Sequence, residues 1–70
     1  MHEIAGRVRT ARLAAGLTQH ELAERAGVSR PSVARVEAGE DVRTATLSKL
    51  ADALGLVLRV TQDRRDEESP

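Results

Sequence analysis

Phe, Tyr, Trp and Cys are all missing from these 70 residues. Without cysteine there is no disulfide, no thiolate metal site and no thiol nucleophile, which fits a protein working in a reducing cytoplasm. Without aromatics the core must be built from Leu, Val, Ile and Ala, a composition suited to thin helix–helix packing. The same absence argues against RNA or single-strand binding, which stacks bases on aromatic rings. No run of about 18 apolar residues is present, so no membrane span is expected. The opening "MHEIAGRVR" lacks the apolar centre of a signal peptide. The two histidines, His2 and His20, stand far apart with no carboxylate cluster at ligand spacing, so neither a metal nor another cofactor is expected. There is no Gly-rich phosphate loop and no His–carboxylate constellation, and the chain reads as a non-enzyme.

An excess of either charge is missing too: 11 basic residues face 11 acidic ones. The distribution is uneven. The end "DRRDEESP" (63–70) holds two basic and four acidic residues, which leaves nine basic against seven acidic in 1–62. Between Gly27 and Val36 there are two arginines and no acid. A local basic patch is expected, not a globally basic surface. Length allows one domain. A chain this short buries only about 60% of its unfolded surface, so small folds need a staple. With disulfides and metals set aside, a partner chain remains.

Periodicity supplies the elements. Ile4, Val8, Ala11 and Ala15 recur at helical spacing and Gly16 follows, predicting a first helix over about 2–15. Leu13 is out of phase with that stripe and suggests a second contact face. Thr18 and Glu21 form a capping box before a short second helix, whose buried face is Leu22, Ala23 and Ala26 and whose stop is Gly27. Ser29 caps a third helix with Pro31 in its first turn, where a missing N–H is harmless. Val33 and Val36 face inward; Arg30, Pro31, Ala34 and Arg35 are left on other faces. Two short helices joined by the turn "GVS", with Val28 filling the corner, form a helix-turn-helix. A polar connection (37–45) leads to a fourth helix at 46–55, apolar at Leu47, Leu50, Ala51 and Leu54 and stopped by Gly55. "LVLRVT" (56–61) then changes to an alternating, β-branched pattern and reads as a strand. The expected organisation is a domain over 1–62 and a charged, disordered tail over 63–70.

"GLTQHELAERAGVSRPSVARVEAG" followed by "TLSKLADALGL" resembles the Cro/cI, or Xre, type of helix-turn-helix regulator over roughly residues 4–56. The resemblance implies an all-α, lambda-repressor-like bundle of four helices, with helix 3 in the major groove of double-stranded DNA. Arg30 and Arg35 would then read guanine or hold phosphate, Pro31 and Ala34 would meet thymine methyls, and Ser29 and Ser32 would meet a phosphate or base edge. Gln19 matches a glutamine that in relatives braces a phosphate and the recognition helix. Thr18 and the helix 2 amides favour an anion, and Arg43 lies in the loop that crosses the DNA backbone. Glu40 and Asp41 in that loop depart from the pattern, since they would repel phosphate. Arg30 and Pro31 sit where many relatives carry amides, which leaves the operator undefined. Arg12 and Glu37 match a pair that ties helix 1 to the end of helix 3 in relatives.

Where many relatives have a fifth helix, this chain has the strand pattern Leu56, Val57, Leu58, Arg59, Val60. A lone strand leaves backbone groups and an apolar row uncovered. Pairing with the same strand of a second copy across a two-fold axis resolves both, and HipB-like antitoxins are similar in carrying such a strand. The expected protein is a homodimeric transcriptional regulator, a repressor on a palindromic operator, with an antitoxin that also binds a toxin as one subclass. The alternatives are a restriction–modification controller and a helical protein-interaction module.

Overall fold

The computed structural model describes residues 2–57. It contains α1 (His2–Ala14), α2 (Gln19–Ala26), α3 (Arg30–Glu37) and α4 (Thr44–Leu54). Neither α2 nor α3, at eight residues each, is long enough to hold its shape alone in water. Capping and packing do it instead. The Thr18 hydroxyl accepts from the Glu21 amide at 3.0 Å, and Glu21 Oε1 accepts from the Thr18 amide at 2.8 Å. At the other end Gly27, at φ 75°, turns the chain left-handed, so that its own N–H and that of Val28 both reach the Ala23 carbonyl. A residue with a Cβ is disfavoured in that conformation. Two residues later Ser29 caps α3 by accepting from the Ser32 amide.

The core is a layer of aliphatic side chains shared by all four helices. Val8, Leu22, Val33, Val36 and Leu50 are fully buried, joined by Leu17, Ala23 and Leu47. Ile4, Ala26, Val28, Val42 and Leu54 pack around its edge. α3 lies against α1 and α2, and α4 against α1 and α2. Each fully buried Val or Leu contributes about 1.5–3 kcal/mol of transfer free energy, and with no ring to fill space, several helices must converge on one centre.

Two helix boundaries and one core residue differ from the sequence expectation. Ala15 is exposed and Ala5 is buried in its place, because α1 ends at Ala14 and the true inward stripe runs through Ala5 and Val8. Leu17 belongs to the core although it stands between two helices, where periodicity cannot find it. α4 begins at Thr44, two residues early, with Arg43 at the cap position making no side-chain cap bond; no Ser, Asp or Asn marks that start. Leu56 and Val57 carry no strand pairing among the described residues. Leu58, Arg59 and Val60, and with them most of the 56–61 strand and the 63–70 tail, lie outside the described residues.

Candidate nucleic-acid interface

Burial of Val33 and Val36, both at 0% exposure, fixes the rotation of α3 about its axis. Arg30, Pro31 and Arg35 are thereby turned to solvent, with Ser32 and Ala34 half-buried at the margins of the same face. Ser29 sits exposed at the start, its hydroxyl 2.9 Å from that of Ser32. The cap thus orders two hydroxyls at the N-terminal end of the helix, beside two guanidinium groups. Ser32 and Arg35 also line an open groove with Asp41, Val42, Arg43 and Thr46. The loop after α3 and the first turn of α4 therefore form one concave surface with α3. Thr46 and Val42 are absent from the sequence-based set; both take their place in the groove from where α4 begins. Asp41 shares the groove with Arg35 and Arg43, so the positive field there is moderated by an acid. Glu40 is exposed just before it.

Behind this face lies a buried-edge network. Arg12 of α1 donates from Nε to Glu37 Oε2 at 2.7 Å and from Nη2 to Oε1 at 2.9 Å. Its Nη1 donates to the Leu17 carbonyl at 2.9 Å. Gln19 of α2 donates from Nε2 to Glu37 Oε1 at 3.2 Å. The Arg12 and Glu37 side chains are only 11% and 5% exposed. Burial by itself pushes the Glu37 carboxyl upward, but the bonds from Arg12 and Gln19, with the charges of Arg12 and Arg9, outweigh it and hold the group below the ordinary glutamate range. The bond to Glu37 correspondingly raises the Arg12 guanidinium against the opposing effect of burial. Glu37 is the last residue of α3, so one carboxylate locks α1, α2 and α3 together. A bidentate arginine–carboxylate pair also fixes direction, not only distance.

Gln19 consequently faces two ways. Its amide nitrogen is committed to Glu37, which leaves its carbonyl oxygen for other donors, while its position is the first of α2. At that end the Thr18 amide is already taken by Glu21, whose carboxyl is lowered by the backbone and side-chain bonds from Thr18. The first amides of α2 remain without intrahelical acceptors, as at any helix N-terminus. The exposed His20–Glu24 pair, at 3.3 Å on the outer face of α2, adds little to stability.

Among the described residues no cluster of His, Asp or Glu stands at metal-binding distance, and no helix is long and apolar enough to cross a membrane. What the arrangement supplies is a short rod of fixed rotation with arginines outward, braced from behind and flanked by a groove. A helix-turn-helix family, HTH_3, matches residues 8–58. The match takes in α2, α3, α4 and the second half of α1, and the chain belongs to the helix-turn-helix family of Cro/cI type, a family of DNA-binding regulators.

Proposed function

We propose that the protein is a dimeric, sequence-specific regulator of transcription that acts in the cytoplasm as a repressor on a palindromic operator. The observation that carries this reading is the orientation of α3: complete burial of Val33 and Val36 turns Arg30 and Arg35 away from the core. Arginine reaches guanine O6 and N7 with two bonds, a contact worth about 1–3 kcal/mol of discrimination. Pro31 and Ala34 offer apolar contact to thymine methyls. Ser29, Ser32, Thr18, Gln19 and Arg43 meet phosphates on either side and set the register. One α3 reads too few bases for specificity. Two of them, held about 34 Å apart by strands 56–61 paired across a two-fold axis, read two half-sites one helical turn apart.

Gel-shift titration of the full chain against an inverted repeat tests this. Affinity for the repeat should exceed that for random DNA and should fall steeply with added salt. Equal affinity for both, with the dimer intact, would refute it. Within this reading an antitoxin is the subclass favoured by the HipB-like strand pattern, and a co-purifying toxin identifies it.

The net charge of zero and the exposed Glu40–Asp41 pair beside the groove favour a second reading, a helical protein-interaction module. The double variant Arg30→Ala/Arg35→Ala separates the two. On the DNA-binding reading it abolishes operator binding and leaves the dimer whole; an interaction module shows no operator binding to lose.

A further inference from the structure

The outer face of α1 is short of polar cover. Gly6, Thr10 and Ala14 follow one another at helical spacing on the side away from Val8, and all three are exposed. With Ala11 and Leu56 they line a largely apolar groove of about 500 Å³, whose lining also takes in His2, Glu3 and Arg7. Leu13, 57% exposed, lies on the same side of the helix. A second apolar hollow, of about 260 Å³, opens on the other flank of Leu56, between Ile4 of α1 and Leu47 and Ala51 of α4. The chain leaves α4 between these two hollows. Arg7 Nη2 donates to the Val57 carbonyl at 3.3 Å and holds the departing backbone beside α1. Val57 itself is 77% exposed.

We infer that the groove on α1 is the seat of a second copy of this chain, occupied by that copy's segment 56–61. The inference rests on the dimer proposed above and says where its strand lies. Three observations choose this occupant. The groove is continuous with the start of the proposed dimer strand, because Leu56 belongs to both. Leu56 lines the second hollow as well, so the chain leaves α4 with an apolar hollow on each side, room for one segment of its own and one of a two-fold mate. The dimensions also agree: six extended residues span about 20 Å at roughly 3.3 Å each, against about 16 Å for the eleven steps of α1 from Glu3 to Ala14 at 1.5 Å each. Alternate residues Leu56, Leu58 and Val60 bring an apolar row to the groove, and the absence of bulky side chains at Gly6, Thr10 and Ala14 lets a backbone approach closely.

The test uses the full chain and two kinds of variant. Ala14→Glu places a carboxylate in the groove at an exposed position, so the helices should survive, as circular dichroism will report. Sedimentation equilibrium should show the dimer dissociation constant rising about tenfold or more, because burying an unpaired charge is costly. Glu24→Arg, exposed on α2, should leave it unchanged. Since the chain has no cysteine, Thr10→Cys combined with Val60→Cys should on oxidation give a covalent dimer, and neither single variant should do so. An oxidised species of monomer size would put the chain's own segment in the groove and overturn the inference. An unaltered dimer in Ala14→Glu would overturn it while leaving dimerisation standing. A wild-type chain that is monomeric throughout would remove the dimer and this inference together.

Discussion

Glu37 accepts three hydrogen bonds from two other helices, and that single residue tests how α3 is held. Glu37→Ala strands the Arg12 guanidinium, 11% exposed, beside a cavity. Removing one partner of such a pair costs about 2–3 kcal/mol at this partly buried site. Glu40→Ala, at an exposed position, should stay within about 0.5 kcal/mol of wild type. Chemical denaturation of the two variants checks the difference, and equal stabilities would remove the network from the account. Acid gives an independent measure. The folded Glu37 carboxyl lies below its unfolded value, so its contribution is fully present above the ordinary glutamate pKa of about 4.3 and is lost as pH falls through the lowered folded value. Urea titrations from pH 7 to pH 3 should therefore show a smaller acid loss in Glu37→Gln than in wild type. At this scale the sequence was legible where a family pattern named both ends of a contact, as for Arg12 and Glu37. For Gln19 the pattern implied a brace on the third helix without naming Glu37 as its acceptor, and it was silent on the Arg12 bond to the Leu17 carbonyl, which forms where the chain turns out of α1 and has no residue-type signature.

Caps and stops define the elements more sharply than their apolar stripes do. The left-handed Gly27 is the hinge on which the angle between α2 and α3 depends. Gly27→Ala should cost about 1–2 kcal/mol, and the loss should appear as a lower melting temperature without loss of helix content at 20 °C. Thr18→Ala, which removes one half of the capping box, should cost about 1 kcal/mol by the same measurement. These devices explain why both ends of α2 and the start of α3 were readable to the residue: Thr18, Glu21, Gly27 and Ser29 are chemical punctuation, whereas α3 runs one residue further than expected, through Glu37. α4 begins two residues before its expected start because Arg43 occupies its cap position without capping, leaving no chemical mark there. α1 misled in another way. Its outward face carries Gly6, Ala14 and Leu13, so apolar residues lie on both faces; Ala15, in phase with Ile4, Val8 and Ala11, is exposed because the helix stops at Ala14, while Ala5 beside Val8 is buried. The groove beside α3 was only half legible, since Arg43 is marked by charge but Val42 and Thr46 acquire their place only from the position of α4.

For the whole molecule, the charge balance makes the proposed DNA contact a local matter. Arg30, Arg35 and Arg43 supply the positive surface while Asp41 lines the same groove. Arg43→Ala should weaken binding to all sequences alike and reduce the slope of log affinity against log salt by about one, whereas Arg35→Ala should relax the preference for one base pair at a cost of about 1–3 kcal/mol. Gel-shift titrations at several salt concentrations distinguish the two. All of this presupposes two recognition helices at a fixed separation, and selection of bound fragments from a random DNA library, followed by mass determination of the winning complex, tests that most directly. The account predicts an inverted repeat whose half-site centres lie about 10–10.5 base pairs apart, bound by two chains. Enrichment of a single asymmetric site bound by one chain, or no enrichment at all, would contradict it.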